Sequence, residues 1–389
     1  MSKTRHDFVT IDSAVLRTAL KLVTKVTEKR NTYPVLGMVQ FRVARGKLTL
    51  LATDLDIVLS LPVETTEGAG TWATCLNPWT LERIAKANAG ELSFAPGETA
   101  ARVGTSAGAF DLEAIDAASF PEMPGAPGAV LERFAGGALT RLIGKVGWCV
   151  STEETRYYLN GVAWQAGPFG RRFAATDGHR LAICTYSKSG ARKTIVTRVI
   201  PNKTVLLLRT IAAGDADVRA VVRADGKVDP LKIEIEAGGI VVRTKLVELP
   251  EPGDGRPGGY PNVDAVIPMA ERWMAAFALD SAELSAALAS VSAVRRKKDG
   301  FGAVKFSGEP GKPVNLTVTD PDGGSARAML SALWPKGGAS FGVNAHYLRD
   351  LVGNCAGIAT FHQVGAGDPI TVLDADATMT RVLMPMMRV

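Results

Sequence analysis

Three stretches of the chain repeat one plan at nearly fixed spacing, which restricts it to architectures that use a single fold three times. Each copy runs from a helical segment through a turn into an apolar strand, and a second strand closes on Thr-Asp. The first copy passes from Glu28 to Gly37 and ends at Asp54. The second passes from Glu154 to Gly161 and ends at Asp177. The third passes from Lys298 to Gly302 and ends at Asp320. From glycine to aspartate the spacing is 17, 16 and 18 residues. Asn77, Pro201-Asn202 and Asn344 then open a second helix in each copy. A tandem of like modules builds a surface larger than one module offers, so the function belongs to the array.

The length of 389 residues accommodates three such domains, and the boundaries expected are 1–126, 127–258 and 259–389. Two Pro/Gly-rich stretches, Phe120 to Gly128 and Pro250 to Pro261, fall near those boundaries and read as crossings, because neither composition continues a helix or a central strand. An apolar content of 46% marks a globular chain. The N-terminus has no apolar stretch of signal-peptide type, and the longest apolar run, near Trp273 to Leu279, is far short of a membrane span. A cytoplasmic protein without membrane contact is expected. Cys75, Cys149, Cys184 and Cys355 are isolated from one another and from histidines, which suits buried reduced thiols rather than a metal site. The net charge of +6 permits a polyanionic partner and does not require one.

Short strands alternate with two helices per repeat, an α+β pattern. Strands are expected at Val39–Val43, Leu48–Ala52, Val218–Arg223, Ile233–Glu236 and Val314–Val318. The first helix of each repeat is amphipathic. Leu16, Leu20 and Val23 lie on one stripe of a helix expected over Ser13 to Lys29, with Arg17, Lys21 and Lys25 on other faces. Leu139, Ile143, Val146 and Val150 form the second stripe, with Arg141 and Lys145 pointing away. Leu284, Leu288 and Val291 form the third, and Arg295, Arg296, Lys297 and Lys298 close that helix. Basic residues near a helix C-terminus also suit the helix dipole. Their recurrence on the equivalent element of all three repeats favours a shared polyanion-facing role.

Ala174-Ala-Thr-Asp-Gly-His-Arg-Leu-Ala182, preceded by Arg156-Tyr-Tyr-Leu-Asn-Gly161, strongly resembles the bacterial beta sliding clamp, the processivity subunit of DNA polymerase III. Asn31-Thr-Tyr-Pro-Val-Leu-Gly37, Ala52-Thr-Asp-Leu-Asp56, Gly259 to Pro268, Phe341 to Asn344 and Met384-Pro385-Met386 extend the resemblance over nearly the whole chain. It implies three clamp domains per chain and a head-to-tail homodimeric ring, with helices lining the central hole. The ring would encircle duplex DNA without regard to sequence and tether the replicative polymerase, the clamp loader and other proteins that carry a clamp-binding motif. No cofactor is implied.

Residue by residue, the resemblance places Arg30 at a DNA-contacting position. It places Arg156, Tyr157 and Tyr158 in a loop that reaches DNA, where tyrosines stack on bases or bond phosphate. Lys21, Lys25, Lys145, Arg295, Arg296 and Lys297 would join them on the helix faces. A pocket for partner peptides is implied at Leu159, Thr176, Gly178, His179, Arg180, Leu181, Pro261, Val266, Val382, Met384, Pro385 and Met386. Methionines there would repack around Leu or Phe side chains. Phe110 and Leu112 match the dimer interface. The chain departs from the family pattern at Glu153, often a neutral polar residue, at Ala265, often arginine, and in a tail one residue longer.

A clamp paralogue specialised for repair, a mobile element or drug tolerance would carry the same sites. A metal-dependent nuclease using Asp54, Asp177 and Asp320 is disfavoured, because each holds the same place in its own repeat while metal ligands must converge. Each aspartate is expected to cap a turn instead, and no catalytic residue is assigned.

Overall fold

The computed structural model describes residues 7–97, 99–122, 124–211, 214–251, 259–294, 302–320 and 324–386. In the first repeat β1 (Phe8–Asp12) leads into α1 (Ser13–Val23). Then come β2 (Val39–Ala44), β3 (Lys47–Thr53), β4 (Ile57–Val63), a short β5 (Glu67–Ala69), β6 (Thr71–Leu76), α2 (Pro78–Ala87), β7 (Glu91–Ala95), β8 (Ala100–Thr105) and β9 (Gly108–Glu113). The second runs β10 (Ala126–Phe134), α3 (Ala138–Val146), β11 (Gly161–Gly167), β12 (Gly170–Thr176), β13 (Arg180–Ser187), β14 (Val196–Pro201), α4 (Asn202–Leu208), β15 (Ala216–Val222), β16 (Val228–Ala237) and β17 (Ile240–Lys245). The third runs β18 (Ala275–Asp280), α5 (Ser281–Ser292), β19 (Ala303–Ser307), β20 (Pro313–Asp320), β21 (Gly324–Leu333), β22 (Phe341–Asn344), α6 (Ala345–Val352), β23 (Ile358–Gln363), β24 (Ile370–Leu373) and β25 (Met379–Leu383). Apart from β5, the three orders are the same, and the expected strands all form.

Local chemistry starts the helices. Asp12 accepts from the amides of Ala14 and Val15, and Asp280 from those of Ala282 and Glu283. Asn77 and Asn344 cap α2 and α6 in the same way. In the second repeat Pro201 takes the cap position and Asn202 is already helical. The first helix ends at Val23, six residues before the expected Lys29. The Thr24 and Thr27 hydroxyls bond back to the carbonyls of Leu20 and Val23, while the amides of Lys25 and Val26 reach only three residues back, tightening the chain into turns. The third helix ends at Ser292, and Arg295, Arg296, Lys297 and Lys298 lie outside the described residues.

Each repeat forms two four-stranded sets. The first set of each is β6-β2-β3-β4, β14-β11-β12-β13 and β22-β19-β20-β21; the second is β1-β7-β8-β9, β10-β15-β16-β17 and β18-β23-β24-β25. The sets join across repeats. β4 pairs antiparallel with β17 (Val58 opposite Arg243), and β13 pairs antiparallel with β25 (Leu181 opposite Val382), giving two eight-stranded sheets. β9 and β21 each end a sheet with a single neighbour among the described residues. Pro127, in the Pro/Gly-rich crossing, is accommodated because β10 is itself an edge strand with bulges beside that residue.

The chain packs as two compact units, Met1–Arg141 with Ile200–Leu246, and Leu142–Val199 with Val247–Val389. The second repeat therefore gives one strand set to each. The first unit buries Phe41 against Phe94, with ring centroids 5.0 Å apart. In the second, Phe277, Phe306, Phe341, Phe361 and Trp334 form an aromatic core beneath α5 and α6. A separate cluster of Ala163, Ala174, Leu181, Ile183, Val199, Val263 and Val382 carries Tyr260 and Ile267 against it. Cys75, Cys149 and Cys184 are buried and free, as expected, while Cys355 is only partly buried. No helix of the described residues is long and apolar enough to cross a membrane.

Phe306 is fully buried and stacks on Phe341 at 5.0 Å. Phe306→Ala should cost about 3–5 kcal/mol, read as a lowered urea midpoint for the second unit. Loss of less than about 1 kcal/mol would mean the aromatic cluster is not the core of that unit.

Candidate functional site

The Thr-Asp motif builds the same turn twice. Thr53 Oγ1 accepts from the amide of Leu55, and Asp54 Oδ1 accepts from the amides of Asp56 and Ile57. Thr176 Oγ1 accepts from the amide of Gly178, and Asp177 Oδ1 accepts from those of His179 and Arg180. The aspartates cap turns as expected, with Lys203 closing on Asp54 and Arg180 Nε on Asp177 at 2.9 Å. The residue after each aspartate is left-handed, φ 80° at Leu55 and φ 89° at Gly178. At Gly178 the positive φ is what favours glycine, since a Cβ there would meet only the movable end of the Arg156 side chain. Asp320 ends β20 and the next three residues lie outside the described set.

The second turn forms the floor of a cavity of about 210 Å³. Nine of the twelve residues assigned to a pocket line it: Leu159, Thr176, Gly178, Arg180, Leu181, Pro261, Val266, Val382 and Met384. They converge because β13 pairs with β25, placing Leu181 opposite Val382, and because the Met384 amide continues that ladder to the His179 carbonyl at 2.8 Å. The other three stand beside it. The His179 ring stacks on Tyr347, with centroids 5.8 Å apart. Pro385 has no amide hydrogen to donate, and the Met386 amide bonds the Gly342 carbonyl at 2.7 Å. Arg156 and Tyr158, which the resemblance places in the DNA-reaching loop, also line the cavity, as do Asn262 and Val263, which were not assigned from the sequence. Two larger cavities, of about 520 and 320 Å³, lie in the first unit, but neither gathers an assigned set of residues.

Arg180 contributes its stem to the cavity while its head is committed elsewhere. Nη1 donates to Asp350 at 2.6 Å, and the guanidinium lies over the Tyr347 and Trp148 rings at 4.7 and 5.3 Å. Arg156 forms two bonds to Glu153, 2.7 and 2.9 Å, so the carboxylate that departs from the family pattern is paired within its own turn. Tyr157 is exposed and meets Tyr158 edge-on at 5.8 Å.

The remaining assigned residues divide by partner. Lys21, Lys25 and Arg30 are exposed, with no carboxylate in ion-pair range among the described residues. Lys21 sits on α1; Lys25 and Arg30 follow it in turns. Lys145, by contrast, donates to Asp376 at 2.5 Å. Burial pushes the Asp376 carboxyl up, but hydrogen bonds from Lys145 and Thr378 outweigh it and bring it down to about 2. Phe110 and Leu112 lie on edge strand β9, Phe110 exposed and Leu112 partly so. Arg295, Arg296 and Lys297 lie outside the described residues.

Residues 8–124 match the family model of the DNA polymerase III beta subunit, N-terminal domain, and residues 134–252 match that of its central domain. The beta sliding clamp of Caulobacter vibrioides is 29% identical over 97% of this chain and 99% of its own length. Among solved structures, Caulobacter crescentus pol III beta superposes with a TM-score of 0.82 at 28% identity, covering 98% of this chain and 100% of the other. The Bartonella birtlesii sliding clamp bound to griselimycin gives 0.81 at 28% identity, covering 99% and 100%.

The Lys145–Asp376 pair sets a pH test. The folded carboxyl is depressed from 3.8 to about 2, so its contribution is full above 3.8 and is lost as pH falls through about 2. Asp376→Asn should flatten that part of the unfolding profile relative to the unsubstituted chain. Parallel profiles from 3.8 down to about 2 would mean the pair does not persist in solution.

Proposed function

The chain belongs to the bacterial beta sliding clamp family, the beta subunit of DNA polymerase III, and from that membership we propose that two copies close head to tail into a ring around duplex DNA. The carrying observation is the strand register. β4 meets β17 and β13 meets β25, leaving β21 and β9 as edges. Thr53 opposite Val58, Thr176 opposite Leu181 and Thr319 opposite Ser325 make β21 the counterpart of β4 and β13. The hairpins Ala237–Ile240 and Thr105–Gly108 make β9 the counterpart of β17. Translated to the third joint, Ser325 of one copy faces Asp111 of the other, and Ala326 faces Phe110. The exposed Phe110 is then covered. A head-to-tail joint made twice closes, and it pairs the β9 and β21 edges.

Three clamp domains, 1–126, 127–258 and 259–389, fit this scheme, and the matched segments 8–124 and 134–252 support the first two. Exposed Lys21, Lys25 and Arg30, with Arg156 and Tyr157, supply a sequence-blind grip on phosphate. Lys145 contributes less, because reaching phosphate requires leaving Asp376. The role is non-catalytic and cytoplasmic: the ring holds on by topology, and the cavity at Leu181, Val382 and Met384 receives Leu or Phe side chains of the replicative polymerase, the clamp loader and other partners.

Light scattering should give about 82 kDa, twice the 41.1 kDa of the chain. Once loaded, the protein should remain on closed circular DNA and leave linear ends. Lys21→Ala with Arg30→Ala should lower loading more than Lys145→Ala. A persistent monomer, or equal retention on circles and linear DNA, would refute the ring.

A further inference from the structure

The connector that follows Pro261 forms one wall of the cavity, through Pro261, Asn262, Val263 and Val266. Its turn, Val263–Val266, is a single short 3-10 segment with few bonds of its own; Asn262 Oδ1 accepts from the Asp264 amide at 3.2 Å. Val263 packs into the apolar cluster of the sheet, and the polar tie beside it is Asp264, which faces Arg172 on β12. Arg172 Nη1 and Nη2 donate to the two carboxylate oxygens at 2.6 and 2.8 Å, in parallel.

Arg172 is itself locked on every side. Its side chain is only 4% exposed. Nε donates to Gln165, its cross-strand neighbour on β11, at 2.8 Å, and Gln165 Nε2 donates in turn to Thr197 on β14 at 3.1 Å. The guanidinium carbon stands 3.5 Å from the centre of the Phe169 ring. A three-strand relay thus aims a planar cation at one point on the connector. Lysine has neither the fork nor the reach to do the same.

The internal repeat supplies a comparison. Arg42 takes the place of Gln165, pairing with Thr49 across β2 and β3 as Gln165 pairs with Arg172 across β11 and β12. It holds Glu122, just after Phe120-Pro121, by one bond at 3.3 Å, and both side chains are open to solvent. That version is weak and screened. The two-toothed version, with its arginine buried and its carboxylate half-exposed, occurs at the joint that carries the assigned pocket.

We infer that Arg172 is a positioning residue for the cavity: through Asp264 it sets where the Val263 and Val266 wall stands, and so which apolar side chains fit. This rests on the reading of that cavity as a peptide pocket.

The test uses the full chain and a short synthetic peptide with Leu and Phe anchors, measured by calorimetry. Arg172→Lys and Asp264→Asn should each weaken binding by about tenfold, Asp264→Glu should recover most of the loss, and Arg42→Lys should leave affinity unchanged. Amide exchange at residues 263–266 should speed up in Arg172→Lys and Asp264→Asn without bound peptide, with dimer mass unaltered. Unchanged affinity together with unchanged exchange in folded Arg172→Lys and Asp264→Asn would overturn the inference. If the unsubstituted chain takes up no peptide, the pocket reading fails, and the exchange arm alone decides whether Arg172 sets the wall.

Discussion

An edge strand carries a row of unpaired N–H and C=O groups, and the whole architecture follows from how those rows are satisfied. Each repeat ends one strand set at β4, β13 or β21 and the other at β9, β17 or β25. Two of the three possible joints form within the chain, by the same antiparallel pairing. The third cannot be made by the sequence order alone, because β9 opens the series and β21 closes it. A second copy that pairs its β9 with β21 would satisfy both of those rows.

The same joints explain where the cavity sits. At the β13–β25 joint the last strand of the chain meets the Thr-Asp turn, so Val382 and Met384 come beside Leu181 and Gly178 although they lie some two hundred residues away in sequence. The connector from Pro261 onward then covers one side. Its counterpart in the first unit lines a different cavity through Phe120, Pro121, Glu122 and Gly125, with Arg42 and Arg243 along it. At the register position of Val382 the first unit has Arg243, which bonds Glu234 and the Gly125 carbonyl. One scaffold therefore yields an apolar hollow at one joint and a salt-bridged one at the other.

Much of this was legible in the sequence because it depends on local chemistry. Asp54 and Asp177 announce turns, Asn77 and Asn344 announce helix starts, and period-two apolar runs announce β2, β3, β15, β16 and β20. Nine pocket residues were legible through the motifs that contain them. What was hidden depends on partners distant in sequence. Nothing near Lys145 shows that Asp376 will hold it, and nothing near Arg172 shows that Asp264 will. The early end of α1 was missed because apolar spacing continues through Val26, while Thr24 and Thr27 redirect the backbone bonds. The partner strand of Phe110 was also hidden, since β21 becomes its counterpart only when the registers of three hairpins are compared.

The third joint can be tested by chemical cross-linking at its register. Facing residues of an antiparallel pair have Cα atoms about 4.5–5.5 Å apart, within reach of a disulfide. The native Cys75, Cys149 and Cys184 are buried and contribute little background. A chain carrying Phe110→Cys and Ala326→Cys should oxidise almost fully to a covalent dimer, while Phe110→Cys with Arg327→Cys, one residue out of register, should not. No dimer from the first pair, or equal yield from both, would contradict the ring built on strand pairing.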